Sequence, residues 1–186
     1  KIENSVAVIS FMNQTGDEKY DYLQEAIPSL LITSLEQAGS FYVVTWERMH
    51  DLIKQVEKKE VERIDRELGF KLCRVEGVEN IILGSYIKAG ETFAIDAKVL
   101  DAETRRLIKS SSTKGQGEDS ILLSQIDELS REIFAGLSMA SGESVPSLPR
   151  IISVTTDSIE AYNYFLSGVE NFENFNDDDA RQDFEK

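Results

Sequence analysis

One imidazole, His50, and one thiol, Cys73, are all that this 186-residue chain offers of each. A two-histidine metal site or a histidine relay therefore cannot be assembled within one chain. Cys73 alone leaves structural zinc short of ligands and rules out an intrachain disulfide, so the redox compartment stays open. The acidic run from Asn176 to Ala180 invites calcium, but it lacks the alternating ligands, central glycine and closing Glu of an EF-hand loop. Its carboxylates read instead as helix caps. Gly115-Gln116-Gly117 precedes a helical run, where a phosphate could sit. No third glycine or P-loop Lys follows, and Glu118 and Asp119 would repel an anion. Asp96, Asp101 and Glu103 are conceivable paired carboxylates, yet Asp101 and Glu103 fall in a hairpin-turn signature where acids are commonplace. No catalytic residue, cofactor-binding residue or metal ligand is assigned, and no cofactor is expected.

What remains is recognition. Tyr20, Tyr22 and Trp46 are the aromatics expected to be partly exposed, next to a loop and a helix start. A docking surface on the first part of the chain is expected near the Gln14–Tyr20 loop and on the wet face of a strand carrying Asp96 and Lys98. The formal charge of −14 excludes a nucleic-acid or anionic-membrane surface as the main use, because phosphate binding rests on Lys and Arg. Lys58-Lys59 and Arg105-Arg106 are short, flanked by acids and read as solvated surface. No apolar run reaches the roughly 18 to 20 residues of a membrane span. The chain begins at Lys1 without an initiator Met or signal pattern and reads as an excerpt of something longer.

The elements that must position these residues follow from periodicity. Val6 to Met12 is almost continuously apolar, as in a central strand covered on both faces. Leu23, Ile27, Leu30, Leu31, Leu35 and Ala38 recur at spacings of three and four, predicting a helix that ends at Gly39 and is either started or kinked by Pro28. Phe41 to Val44 predicts a short strand, and Thr45 caps the next helix with Glu47 in its first turn. Ile64, Leu68, Leu72 and Val75 predict one stripe of a further helix stopped at Gly77, with Gly69 weakening its interior. A three-strand meander comes next, in which Phe93, Ile95, Ala97 and Val99 alternate with Thr92, Ala94, Asp96 and Lys98. Ile121, Leu122, Ile126, Leu129, Ile133 and Leu137 form the last helical stripe before a stretch rich in Ser, Gly and Pro.

The fold expected is α/β of the α+β type: a mixed sheet of about five strands with helices mainly on one face, followed by a C-terminal helical hairpin. The domain division expected is 1–138, a linker at 139–156, and the hairpin at 157–186. In that hairpin Asp157 with Glu160 suggests a capping box. Tyr164, Gly168 and Phe172 lie at spacing four, and Asp178 or Asp179 caps a second helix with Ala180 and Phe184 on one stripe. This pattern resembles the start of a tetratricopeptide repeat, with Ser167 and Asn171 departing from the usual leucine and tyrosine. Such repeats need about three copies to bury their apolar faces. Phe165, Phe172, Phe175 and Phe184 are therefore expected to pack on the first domain or across a dimer, Tyr164, Phe165, Phe172 and Phe175 are candidate contact residues, and the chain reads as cut at the start of an array.

Residues 5–138 resemble the TolB amino-terminal-like domain. The likeness rests on the Val-rich strand with Phe11 and Asn13, on the Gly84-Ser85 strand, and on Val99-Leu100-Asp101-Ala102-Glu103-Thr104, with Arg105 where a glycine is common. The resemblance implies a non-catalytic module found beside tetratricopeptide repeats in bacterial signalling proteins, including Ser/Thr kinases, adenylate cyclases and transcriptional regulators. The function expected is a regulatory, partner-binding region that couples protein binding or oligomerisation to an effector elsewhere. The alternatives are a cell-envelope assembly scaffold without an effector and a small-ligand sensor. Partners are expected to be proteins, through the repeat array and the sheet face, with a homodimer possible. Neither nucleic acid nor direct membrane contact is expected. The location would be extracytoplasmic if a membrane span precedes the chain and cytoplasmic otherwise.

Overall fold

The computed structural model describes residues 2–56, 61, 63–141 and 148–186, so the Lys58-Lys59 pair and the middle of the Ser/Gly/Pro stretch lie outside the described residues. The first strand, β1 (Ile2–Val8), is buried on both sides in its second half, as its unbroken apolar run requires. Val6 and Val8 enter one core and Ala7 and Ile9 the other, so consecutive side chains serve opposite faces of the sheet. Around it lie β2 (Met12–Asn13), β3 (Tyr42–Val44), β4 (Val78–Ala89), β5 (Thr92–Asp101) and β6 (Leu107–Gln116). The order is β3-β1-β4-β5-β6, parallel across the first three and antiparallel across the rest, with β2 continuing beyond β1 along β4. The expected mixed sheet is therefore present, with six strands because the short β2 adds one.

Helices cover the two faces unequally. Against the first face pack α1 (Leu23–Glu36) and α4 (Ile126–Ser141), which meet Ile82, Ile95, Ala97 and Val99. Against the second pack α2 (Trp46–Val56) and α3 (Arg66–Glu76), over Val44, Ile81 and Leu100. The one-sided helix layer expected from the sequence thus describes the β5–β6 half. Over β3, β1 and β4 the second face is covered as well.

The break between β1 and β2 has a local cause. Pro28 lies inside α1 without starting it, and having no N–H it frees the carbonyl of Gln24 one turn earlier. That carbonyl accepts the Phe11 amide at 3.1 Å. Phe11 leaves the strand line and points into the core beside Gly84. A Cβ on Gly84 would collide with the Phe11 ring and with the Asp96 carbonyl oxygen, so glycine is required there for space. Past this kink, Met12 and Asn13 resume pairing with Ser85 and Tyr86.

Several local expectations hold. Thr45 caps α2, its Oγ1 accepting from Arg48 N at 3.3 Å, and Gly77 closes α3 in the left-handed region at φ 80°. Two details of α3 differ. The helix is capped by Asp65, so Ile64 precedes it. Its buried face is Gly69, Phe70, Leu72 and Cys73, which leaves Val75 56% exposed. The helix runs unbroken through Gly69, which lets it close on Ile9 and Ile81, whose side chains would stand about 3 Å from an added Cβ. Arg105 does adopt the glycine-like conformation, at φ 60°. Its guanidinium makes two 2.9 Å bonds to Glu67 and lies 4.6 Å over the Phe70 ring, contacts that oppose the backbone strain.

Beyond the undescribed segment, Ile151 is buried in a short 3-10 turn, with its amide donating to Asp127 Oδ1 at 2.8 Å. Next come α5 (Ile159–Glu173) and α6 (Asp177–Phe184). The cap of α5 is Ser158 and not Asp157. The cap position of α6 is Asn176, while Asp178 and Asp179 sit inside the first turn, where carboxylates favour the helix dipole. At the crossing, a Cβ on Gly168 would meet the Phe184 ring, which explains the small residue. Ser167 and Asn171, the two departures from the repeat pattern, both donate to Asp183 Oδ2, at 2.7 and 3.0 Å. They replace an apolar contact between the helices with a polar pin.

Gly84→Ala is expected to lower stability by about 1–3 kcal/mol through overpacking. Phe11→Ala should lose about 3–5 kcal/mol, as a large side chain leaves a cavity. Urea denaturation followed by circular dichroism measures both, and an unchanged midpoint for Gly84→Ala would contradict the close approach.

Candidate functional site

Where α2 and α3 stop, the second face of β4, β5 and β6 is left open. By register, Leu83, Lys98 and Ser110 form one row across it, and Ser85, Asp96 and Ser112 the next. Met12, opposite Ser85, is 59% exposed, and Ile87, further along β4, is 41% exposed. The kink at Phe11 and the start of α3 wall this surface on one side, making a groove of about 620 Å³. Its floor is Ile9, Phe11, Ile64 and Leu83, and its rim carries Arg63, Arg66, Lys98, Asp65 and Asp96. Ser10 ties the wall down, its Oγ accepting the Ile64 amide at 3.0 Å, and Arg63 donates to Gln24 Oε1 at 3.1 Å. Asp65 is engaged as the α3 cap, whereas Asp96 and Lys98 are exposed and have no ion-pair partner among the described residues.

The structure separates the expected contact residues. Asp96 and Lys98 stand together in this groove. Tyr20, expected to be exposed, is core: it is 4% exposed, its ring meets Phe93 edge-on at 5.1 Å, and its carbonyl accepts the Tyr86 hydroxyl at 2.7 Å. Tyr22 is half-buried and bonds through its hydroxyl to Glu118. Burial, reinforced by that carboxylate, pushes the phenol well above its usual range. Trp46 is half-buried beside His50, with ring centroids 5.5 Å apart. In the hairpin, Tyr164 is half-buried under Lys186, 4.7 Å from its ring. Phe165, Phe172 and Phe175 are 51%, 64% and 91% exposed. Ile159, Tyr162 and Leu166 pack into the core of the first domain, whereas Phe165 stays half exposed, its ring 6.2 Å from that of Phe184.

Arg63, Arg66, Ser10 and Ser85 belong to the groove but are absent from the sequence expectation. Ser85 was reachable: the turn at Gly90-Glu91 pairs Ala89 with Thr92, and counting back along the hairpin sets Ser85 opposite Asp96. The arginines carry no local signal, because a long-range fold brings them to the sheet. Cys73 lies in the second core, where burial pushes its thiol up to about 12, a packing residue and not a nucleophile. Among the described residues no three His, Cys, Asp or Glu converge on a metal-holding point, and no helix is long and apolar enough to cross a membrane.

The seam between α1 and α5 is electrostatically loaded. Burial raises the Glu25 carboxyl above the usual carboxylate range, and the charge of Glu170 on α5 raises it further. A carboxyl with a raised folded-state pKa binds its proton more tightly when folded, so its contribution favours docking at low pH and is lost as pH rises through the folded value. Lowering pH from neutrality towards the carboxylate range should therefore slow amide exchange in α5. Glu25→Gln should flatten that dependence. Hydrogen exchange of residues 159–173 with pH-corrected intrinsic rates checks this, and an unaltered pH profile in Glu25→Gln would refute it.

No family model matches the chain. A curated protein of Rhizobium meliloti (strain 1021) named "Putative adenylate cyclase 3" is 26% identical over 100 residues, which is 54% of this chain and 15% of that protein. The chain thus spans a small part of the length of the curated relative it matches. Among solved structures, the LpoB C-terminal domain from Salmonella enterica is similar at 17% identity and TM-score 0.48, covering 61% of this chain and 82% of that one. Lipoprotein GNA1162 from Neisseria meningitidis is similar at 15% identity and TM-score 0.45, covering 77% of this chain and 99% of that one. TolB from Acinetobacter baumannii is similar at 10% identity and TM-score 0.45, covering 75% of this chain and 29% of that one. TolB, the family that residues 5–138 resemble, is thus among the similar structures, and none of these names refers to tetratricopeptide repeats.

Proposed function

We propose that this chain is a non-catalytic protein-docking region whose primary contact surface is the open half of the sheet and its adjoining groove. The observation that carries the reading is the pair Asp96 and Lys98, without an ion-pair partner among the described residues, on a solvent-facing sheet beside exposed Met12 and Ile87. A surface that mixes apolar patches with unpaired charges of both signs suits a protein partner, with the charges fixing register and the apolar groups supplying affinity. The helical hairpin, read as the opening of a tetratricopeptide array, offers a second protein-binding element through its outward aromatics.

Two settings use such a module. A cell-envelope assembly scaffold needs nothing beyond docking, whereas a regulatory region of a signalling protein needs an effector domain attached elsewhere. The lipoprotein names sit with the first setting, the cyclase name with the second. We place the scaffold first because docking is what the surfaces described support directly. The groove's volume also lies within the roughly 300–1,000 Å³ of small-ligand sites, which keeps a sensor as the second reading.

A photo-reactive amino acid placed at Ser112, on the open face, is expected to cross-link a protein partner in the source cells. The same group at Glu128, on α4, should not. Lys98→Glu should reduce the Ser112 cross-link about tenfold or more, as expected of a charge that fixes register. Equal cross-linking from both positions would sink the sheet-face reading, and labelling only by small molecules would move it to the sensor.

A further inference from the structure

A second groove lies on the opposite side of α1 from the sheet, between α1, the start of α2 and α5, with a volume of about 430 Å³. Its floor is apolar: Ile32 from α1, Trp46 from α2, and Phe165 and Val169 from α5. Phe165 is 51% exposed, so its ring is open to an occupant and not sealed within the hairpin. The rim is carboxylate, from Glu36 on α1, Glu47 on α2, and Glu170 and Glu173 on α5. Among the described lining residues there is no Lys or Arg to balance them. Partial burial, and after it the charge of Glu47, raises the Glu36 carboxyl above its usual range. Arg48, the basic residue next along α2, is turned away and held by Glu76 in a two-bond pair at 2.8 and 2.6 Å.

An apolar floor inside an acidic rim has one complementary shape among peptides: an amphipathic helix with apolar residues at spacings of three and four and basic residues beside them. We infer that this groove docks a basic amphipathic helix of a partner protein, with an apolar side chain seated between Trp46 and Phe165 and Lys or Arg on the glutamates. A second copy of the chain fits poorly, because each copy carries a net charge of −14 and would bring more carboxylate to the rim. An anionic membrane and nucleic acid are repelled for the same reason. This surface is separate from the open sheet and does not depend on the sheet-face proposal.

Trp46, the only tryptophan in the chain, lines the groove and reports on it directly. The experiment titrates the protein with three 14-residue synthetic peptides and follows Trp46 emission: an amphipathic Leu/Lys helix, a Lys/Gln peptide of equal charge without an apolar face, and a Leu/Glu helix. Saturable change is expected with the Leu/Lys helix alone. Phe165→Ala and the double variant Glu36→Gln/Glu173→Gln should each weaken it about tenfold, the scale of a single anchoring contact, with circular dichroism unchanged. Glu128→Gln, on α4, should bind as the parent does. Equal response to the Lys/Gln peptide would overturn the inference, because it would report only attraction of a polycation to an acidic protein. So would the absence of any response, or a Phe165-dependent self-association in sedimentation equilibrium, which would make a second copy the occupant. Cross-linking at Ser112 reads the sheet face and Trp46 reads this groove, so either surface can fail without the other.

Discussion

The hydrogen bond from Phe11 to the Gln24 carbonyl organises the corner at which β1 ends and the groove begins. It exists because Pro28 cannot donate, so one carbonyl within α1 is free to accept from outside the helix. The bond holds Phe11 out of the strand line and ends β1. Gly84 leaves the space that the ring then fills. The two ends of the contact are 13 residues apart in sequence but join the central strand to the helix that covers it. It lies where β1 gives way to β2 and where Phe11 and Ile64 meet the groove. A residue that ordinarily damages a helix here supplies the acceptor that shapes a surface.

The second constraint is the unequal division of helices. Both faces of β1 are covered because every residue from Val6 to Ile9 is apolar, and exposing either set would cost on the order of several kcal/mol. The same cover over β5 and β6 would bury Asp96, Lys98, Ser110, Ser112 and Lys114 without compensation. Their alternation therefore sets the edge of the helix layer as firmly as the apolar stripes set its centre. The open sheet face follows from composition, and Asp96 and Lys98, in adjacent rows, leave charges of both signs on it.

Much of this was legible along the chain. The period-two alternation of β5, the helical stripes of α1 and α4, the Thr45 cap and the Gly77 stop are local properties, carried by residues within one or two turns of each other. What escaped was nonlocal. The Tyr20 side chain is buried because Phe93 and Lys88, from a hairpin some 70 residues on, close over it. The buried face of α3 is rotated from the Leu68–Val75 stripe because Gly69, and not a large apolar residue, makes the closest approach to the sheet. Arg63 and Arg66 become groove residues only after α3 docks. Asp157 lost the cap of α5 by one residue to Ser158, whose Oγ accepts the Ala161 amide at 3.2 Å.

The hairpin shows how polar residues can free aromatic ones. Had Ser167 and Asn171 been the usual leucine and tyrosine of a tetratricopeptide repeat, α5 and α6 would close through apolar contact. Instead, Asp183 accepts from both, and those hydrogen bonds, with help from Lys186, hold its carboxyl below the usual range. With the crossing held by that pin and by Phe184 over Gly168, the aromatic load is not consumed internally. Phe175 sits at φ 61° in the left-handed position that closes α5, a place where glycine costs nothing and phenylalanine is strained. A fully displayed ring on a disfavoured backbone gains the hairpin no core contact. Phe165, Phe172 and Phe175 are each more than half exposed, an apolar load that the polar pin leaves at the surface of an otherwise acidic chain.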